Sequence, residues 1–397
     1  LENLQELAVI PLGEETAPIP KEMESLAAAV NDVLARSIDK DIMVYVHGAN
    51  SNIYRAAAQA AQYRHFTGRN SMVLAFLWPS AENLLAYGTD VRHAAKSAPA
   101  FKRLITLLND YTTAEYINIL AYSAGSQIAS PGLAILGLET KGEKRRQLRL
   151  GEVYFAGADI GIDTFVAHLQ AYIDIPRSVT LTINLKDTVL AMAEWHHGVS
   201  RAGRPRAEDL SPEASQWARN ASAQSGFDII GVDETTVIGL SSGAHDFWYA
   251  HPWISSDVLV QFLFHADPLT RGLVENVNEH GLRYWTFPPD YPDRIIGIIK
   301  EAEKEEETFA ERAIRTRMID RNSLERAAGY AEFCLGDPVP LADVVAQVVA
   351  DLKQRIKATD SSGTARDRMP RSTASAAPKS RADMNTRRAR PSPMRAT

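Results

Sequence analysis

The residue most able to do chemistry is a serine that follows an apolar segment. Ser123 lies in the run Ile119-Leu-Ala-Tyr-Ser-Ala-Gly-Ser126, with the small residues Ala121 and Gly125 two positions before and after it. A nucleophilic serine on a sharp strand-to-helix turn needs small neighbours there, because its backbone is strained. The pattern therefore predicts a nucleophile. The alternative is a serine that only caps a helix.

A serine hydroxyl is a weak nucleophile at neutral pH and needs a base that a third group orients. In folds with this kind of turn, the acid follows the serine in the chain and the histidine comes last. Asp187 follows the apolar segment 179–185 and is the first candidate acid, with the N-cap of the next helix as its alternative role. Asp159, which follows the segment 153–156, is the second candidate.

The chain has ten histidines that compete for the role of base. His245 follows the segment 235–240 and a short Ser-Ser-Gly-Ala run, which can fold back over the edge of a sheet. We prefer His245, and His251, six residues later, is the second candidate. His196 and His197 are expected to line a pocket at most.

An acyl-transfer site also needs donors for the developing oxyanion. The backbone amide of Ala124, directly after the serine, is one expected donor. The segment 42–46 ends in His47-Gly48, and Gly48 would let the following backbone approach the substrate closely. Ala49 or Asn50 is the candidate for the second donor, and His47 is expected to hold this loop by a side-chain hydrogen bond.

Aromatic residues near these motifs are candidates for an apolar acyl pocket, although each is equally compatible with core packing. They are Trp78, Tyr122, Trp195, Phe247 and Trp248. No cofactor or metal is predicted, because there is no His-Glu-x-x-His motif, no glycine-rich phosphate loop after a strand, and only one cysteine, Cys334.

The surrounding elements would bring these residues to one edge of a sheet. Short apolar runs predict strands at 42–46, 72–78, 116–121, 153–156, 179–185 and 235–240, and helical stretches lie between them at 56–66, 90–109, 127–136, 164–172 and 189–196. This alternation predicts an α/β protein with a mostly parallel central sheet and helices on both faces.

The domain organisation is expected to centre on residues 41–270, with a polar insertion at 199–226. A lead-in segment would occupy residues 1–40 and a mostly helical appendix residues 271–358. The tail, 359–397, has nine Lys or Arg against three Asp and few large apolar side chains, which predicts a disordered basic extension.

The net charge, the hydropathy and the cysteine content indicate which partners and which cellular compartment to expect. The net charge of −6 argues against a dedicated nucleic-acid binder, although the basic tail could contact anionic surfaces. No apolar run reaches the ~20 residues that span a bilayer. With one cysteine and no signal-peptide pattern, a cytoplasmic location is expected; a periplasmic or lipid-anchored protein is the alternative if a segment precedes Leu1.

Six short motifs occur in order and together resemble one known group. They are Val46-His-Gly-Ala-Asn50, Phe76-Leu-Trp-Pro-Ser80, Ala121-Tyr-Ser-Ala-Gly125, Ala156-Gly-Ala-Asp-Ile160, Asn184-Leu-Lys-Asp187 and Gly243-Ala-His-Asp246. Over residues 40–266 the chain is similar to the bacterial α/β hydrolases called domain of unknown function 900, an esterase/lipase-superfamily group. Two positions depart from it: Ala124 stands where that group commonly has Met, and Tyr122 where it commonly has His.

The resemblance implies an α/β-hydrolase fold with Ser123, Asp187 and His245 as a catalytic triad. The expected activity is hydrolysis of a small-molecule carboxylic ester through an acyl-serine intermediate. Two alternatives stay open: a catalytically silent binding protein on the same scaffold, and a peptidase or thioesterase that uses the same triad.

Overall fold

The computed structural model describes residues 21–37, 39–66, 71–224 and 226–294. Its strands are β1 (Ile42–Val46), β2 (Met72–Phe76), β3 (Ile117–Tyr122), β4 (Leu150–Ala156), β5 (Ser178–Ile183), β6 (Phe227–Gly231), β7 (Val274–Val277) and β8 (Arg283–Thr286). They form one sheet in the order β2-β1-β3-β4-β5-β6-β8-β7. Neighbouring strands are parallel except for the antiparallel pair β7 and β8.

Helices connect the strands and cover the sheet. They are α1 (Lys21–Arg36), α2 (Ile53–Phe66), α3 (Tyr87–Tyr111), α4 (Ser126–Glu139), α5 (Gly142–Arg146), α6 (Ile162–Tyr172), α7 (Thr188–His197), α8 (Pro212–Ser222), α9 (Phe247–Ala250) and α10 (Pro252–Phe264). Two helix starts carry clear signals: Asp187 caps α7 with its carboxylate, and Ser211 precedes Pro212, the first residue of α8.

Alternation along the strands divides the core into two apolar clusters, one on each face of the sheet. In β1, Val44 and Val46 belong to the cluster that packs against α1, α3, α4, α6 and α8, whereas Met43 and Tyr45 belong to the cluster that packs against α2, α9 and α10. Successive side chains of a strand point to opposite faces, so a strand that is apolar throughout must be covered on both. The predicted α/β class with helices on both faces is confirmed.

The strand predicted at residues 235–240 is wrong. The sixth strand of the sheet is β6, which pairs with β5 from Val179 to Ile183. Residues 235–240 form turns instead, because Asp233 accepts hydrogen bonds from the amides that follow it: its carboxylate from Thr235 (2.7 Å) and its carbonyl oxygen from Val237 (2.8 Å). A short aspartate-initiated turn outweighs the β-propensity of the Thr-Thr-Val run.

Two expected boundaries also change. The polar region 199–226, expected as an insertion within the 41–270 domain, contains α8, whose Ala214 is buried in the core while Trp217 and Ala221 pack against it, so this region carries a helix that covers the sheet before β6. The appendix expected to be mostly helical from residue 271 begins with β7 and β8, which extend the sheet. The rest of that appendix from residue 295, the basic tail and residues 1–20 of the lead-in lie outside the described residues.

Among the helices that the structure describes, none combines the length and apolar character needed to cross a membrane.

Candidate active site

Ser123 stands on a sharp turn between β3 and α4. Its backbone is left-handed (φ 53°), a conformation that non-glycine residues seldom adopt. The carbonyl oxygen of Ser123 accepts hydrogen bonds from the Asp159 amide (3.1 Å) and the Ser126 hydroxyl (2.7 Å), which hold the turn in place. Gly125 is required here, because a Cβ atom at this position would collide with the Val46 carbonyl oxygen.

The imidazole of His245 lies between the serine hydroxyl and a buried carboxylate. Its Nε2 is 2.8 Å from Ser123 Oγ, and its Nδ1 is 2.6 Å from Asp187 Oδ2. A carboxylate can only accept, so Nδ1 carries the proton and Nε2 accepts from the serine hydroxyl. The three residues therefore form one continuous chain of hydrogen bonds, although His245 lies 58 positions after Asp187 and 122 positions after Ser123 in the sequence.

Asp187 has two roles at once. Its Oδ1 accepts the Leu190 amide (2.9 Å) as the N-cap of α7, and its Oδ2 accepts from His245. The side chain is fully buried. The two roles that the sequence left as alternatives are compatible, because each uses a different carboxylate oxygen.

The loop that carries His245 is fastened to the end of β5 and to the start of α7 by two residues that were not predicted as site residues. Asn184 donates from Nδ2 to the Ala244 carbonyl oxygen (2.7 Å), and Thr188 donates from its hydroxyl to the Gly243 carbonyl oxygen (3.1 Å). Gly157, after β4, lies against the imidazole. Asn184 and Gly157 both belong to the six short motifs of the family resemblance, and membership in those motifs is the sequence signal that points to their place at the site.

The loop after β1 passes directly over the serine. A Cβ atom built on Gly48 would be 3.0 Å from Ser123 Cβ, so only glycine fits this approach without displacement. Among the described residues, the Ala49 amide has no hydrogen-bond partner. The Asn50 amide donates to Asp90 Oδ2 (3.2 Å), which corrects the prediction of Asn50 as a free donor. Ala124 begins the turn into α4, where amides lack intrahelical acceptors.

His47 holds this loop, in the structural role expected for it. Its Nε2 accepts the Trp78 amide (3.2 Å), so Nδ1 carries the proton and donates to the Gly48 carbonyl oxygen (2.8 Å). The ring stacks on the Trp78 indole, which donates from Nε1 to the His47 carbonyl oxygen (2.8 Å). Burial lowers the pKa of His47 and so favours this neutral form.

The two alternate candidates have other partners. Both carboxylate oxygens of Asp159 are used: Oδ1 by Arg201 Nε (2.7 Å) and Oδ2 by the Tyr87 hydroxyl (2.6 Å). His251 caps α10 by accepting the Trp253 amide at Nδ1, and its Nε2 donates to the Ile238 carbonyl oxygen (3.1 Å). Neither side chain joins the chain of hydrogen bonds at Ser123.

The five candidate pocket aromatics occupy different environments. Trp78, Phe247 and Trp248 are buried in the two core clusters, which favours the core-packing role that the sequence left open for them. Tyr122 is half-buried, and its ring centroid is 5.2 Å from that of His245. Trp195 is 87% exposed on α7. It borders a depression of about 370 Å³, which is lined by Ala191, Glu194, Trp195, Gly198, Arg204 and Arg206.

Within the part of the chain that the structure describes, no three His, Cys, Asp or Glu side chains are grouped as a metal site would require.

His196 and His197 both contact the Tyr87 ring, with centroid distances of 5.3 and 5.7 Å. Since Tyr87 O–H donates to Asp159, its oxygen is available to accept from His197 Nε2, 3.1 Å away. This arrangement links α7 to the start of α3 beside the Ser123 turn.

Comparison with known protein families gives one match. The family model described as alpha/beta hydrolase of unknown function (DUF900) matches residues 22–260, which is more than half of the chain and includes Ser123, Asp187 and His245. A comparison with curated protein sequences finds no significant match. The strand order, the left-handed serine turn and the family match agree, and the chain belongs to the alpha/beta hydrolases of unknown function (DUF900).

Proposed function

We propose that the protein is a serine hydrolase that cleaves carboxylic esters through an acyl-serine intermediate. The observation that carries the proposal is the position of His245, within hydrogen-bond distance of both the Ser123 hydroxyl (2.8 Å) and the buried Asp187 carboxylate (2.6 Å). A nucleophile, a base and a group that orients the base are the minimum that such chemistry needs.

The first half of the reaction forms the acyl-enzyme. Ser123 Oγ attacks the ester carbonyl carbon as its proton passes to His245 Nε2, and the carbonyl oxygen becomes an oxyanion. Asp187 stabilises the resulting imidazolium and keeps the ring in its reactive orientation. His245 then gives the proton to the leaving alkoxide as the carbon–oxygen bond of the ester breaks, which releases the alcohol.

The second half regenerates the serine. Water attacks the acyl carbon while His245 takes one of its protons, and the Ser123 oxygen recovers that proton as the carboxylic acid leaves. The amides of Ala124 and Ala49 are the proposed oxyanion donors. Donors fixed before the reaction are effective because they need no reorganisation as charge develops.

Replacement of the nucleophile tests the proposal. Ser123→Ala should lower the turnover of short p-nitrophenyl esters by at least about a thousandfold while folding is preserved. The parent protein should also be labelled by a fluorophosphonate probe on the peptide that contains Ser123. A labelled parent that fails to turn over esters but cleaves thioesters or peptides would redirect the proposal to those substrates.

The chain offers a matched control. Ser130 is also buried on α4, and its hydroxyl lies 3.1 Å from His168 Nδ1. Ser130→Ala therefore removes a histidine-paired serine hydroxyl outside the proposed site and should leave turnover and labelling unchanged. Equal activity in the parent and in Ser123→Ala, or an unlabelled but folded parent, would refute the proposed nucleophile.

A further inference from the structure

Three consecutive peptide groups of the loop after β1 are each fixed by a side chain from a different place. The Gly48 carbonyl oxygen accepts from His47 Nδ1 (2.8 Å). The Asn50 amide donates to Asp90 Oδ2 (3.2 Å), and the Asn50 carbonyl oxygen accepts from Arg55 Nη1 (2.5 Å). Little freedom of rotation is left to the backbone between Gly48 and Asn50.

The first of these contacts fixes the direction of the Ala49 amide. In a trans peptide the C=O and the next N–H point in opposite directions. Because His47 holds the Gly48 oxygen, the Ala49 N–H must point in the opposite direction within the same peptide plane. Gly48 itself lies against Ser123, so this amide is next to the serine.

The other two contacts hold Asn50 in an unfavourable conformation. Asn50 is left-handed (φ 51°), and such a residue persists only where its surroundings impose it. Asp90, in the first turn of α3, is fully buried and also accepts the Ala81 amide at Oδ1 (2.6 Å). Its carboxylate therefore joins the loop and the segment after β2 to α3, whereas Arg55 is exposed on α2.

We propose that Asp90 is a positioning residue for the oxyanion site. It fixes the left-handed turn at Asn50, and this turn keeps the Ala49 amide directed at the substrate oxyanion. Arg55 assists from the solvent side. The inference rests on the proposed function, and it assigns a role in acylation to a carboxylate that does not itself touch the substrate. The His47 contact holds only the Gly48 oxygen, so the loop also needs the Asp90 contact at Asn50. Without the Asp90 contact, Asn50 can relax to an ordinary backbone conformation, and the peptide group that carries the Ala49 amide shifts away from Ser123.

The test compares labelling rates, because the phosphoryl oxygen of an alkyl fluorophosphonate takes the place of the oxyanion. Asp90→Asn keeps the side-chain shape but has only one acceptor oxygen for two amides. We expect its second-order labelling rate and its kcat for p-nitrophenyl acetate to fall about tenfold or more, with KM within about twofold. Arg55→Ala changes an exposed residue and should slow labelling by a smaller factor, about threefold.

A second buried carboxylate provides the control. Asp41 accepts the Tyr116 amide (3.0 Å) and Asn118 Nδ2 (3.1 Å) at the amino end of the strands, at the opposite edge of the sheet from Ser123. Asp41→Asn should lose thermal stability as Asp90→Asn does, yet label at the parental rate. A KM and kcat that change together with stability in both variants would indicate a structural role only.

The outcomes separate the two proposals. If the folded parent is not labelled, the proposed function and this inference both fall. If the parent is labelled and Asp90→Asn and Arg55→Ala label at the parental rate, only this inference is overturned. The same holds if Asp41→Asn slows labelling as much as Asp90→Asn. If Asp90→Asn does not fold, Arg55→Ala decides, and a parental rate in that variant overturns the inference.

Discussion

Gly157 lies directly against the imidazole of His245. A Cβ atom at Gly157 would be 3.2 Å from His245 Cε1 and 3.3 Å from Nδ1, and the residue is left-handed (φ 55°). A residue after β4 thus limits where the ring of a residue 88 positions later can lie, and any side chain here would displace the ring from Ser123 or Asp187.

Gly157→Ala should therefore lower kcat/KM for a p-nitrophenyl ester by about tenfold or more, because a small misplacement of a reacting group has a large effect on rate. It should also lower the free energy of unfolding by about 1 kcal/mol, since alanine is strained at this φ. Gly142→Ala isolates the second effect: Gly142 is also left-handed (φ 60°), but a Cβ there would meet nothing within 4 Å. Equal activities in the two variants would show that Gly157 does not restrain His245.

The double role of Asp187 gives a second prediction. Asn is as good an N-cap as Asp, so Asp187→Asn should keep the Leu190 contact and most of the stability. It should still lower kcat by about a thousandfold or more, because an amide cannot stabilise the imidazolium as a carboxylate does. Asp187→Ala should be equally inactive and about 1 kcal/mol less stable than Asp187→Asn by chemical denaturation. Substantial turnover by Asp187→Asn would remove Asp187 from the proposed mechanism.

The convergence of Ser123, Asp187 and His245 could be anticipated from the sequence because parallel strands bring their carboxyl ends to one edge. The segments that became β1 and β3 are apolar nearly throughout, and that of β5 alternates apolar residues with Ser and Thr; these patterns predict buried strands of one parallel sheet. The position of His245 was predicted from a strand at 235–240 that does not exist. The prediction placed the residue correctly only because the turns after β6 return the chain to the same edge, where Asn184 fastens it.

Other features depended on contacts that no local pattern reveals. The Asn50 amide is occupied by Asp90, forty residues away in the chain. The strands β7 and β8 have four residues each, and alternation over so short a stretch is too weak to identify a strand. The aromatic residues could not be divided into core and surface, because the residue type alone does not tell which side of an element faces the sheet.

The division of the aromatics can be measured. Trp248 is 4% exposed and packs against Tyr45 and Tyr122, with ring centroids at 5.3 and 6.0 Å, whereas Trp195 is 87% exposed. Trp248→Ala should lower the free energy of unfolding by about 3–5 kcal/mol, and Trp195→Ala by less than about 0.5 kcal/mol. If Trp195→Ala nevertheless raises KM for longer acyl chains, the exposed face of α7 contacts substrate; an unchanged KM assigns Trp195 no part in binding.

At the opposite edge of the sheet, a buried histidine predicts how stability depends on pH. His265 lies between Asp41 (Nε2 to Oδ2, 3.0 Å) and Glu152 (Nδ1 to Oε1, 2.9 Å), and contacts to both ring nitrogens require the protonated form. Burial alone would lower the pKa of His265, but hydrogen bonds to these two carboxylates raise it to about 9. Burial alone would raise the pKa of Glu152, but its contact with His265 and hydrogen bonds from Ser178 and Gln261 lower it.

Because the pKa of His265 is raised in the folded protein, stability decreases as the pH rises. The histidine stabilises the fold fully below its unfolded pKa of about 6.5, and this contribution is lost as the pH rises through about 9. The difference corresponds to roughly 3 kcal/mol. In urea titrations, the parent should lose stability between pH 6.5 and 9.5 by that amount more than His265→Gln, which keeps hydrogen-bonding groups but has no proton to lose. Because His265 is remote from Ser123, the pH profile of kcat in folded His265→Gln should match that of the parent. Parallel stability curves for the two proteins would show that the imidazole is not protonated between its two carboxylates.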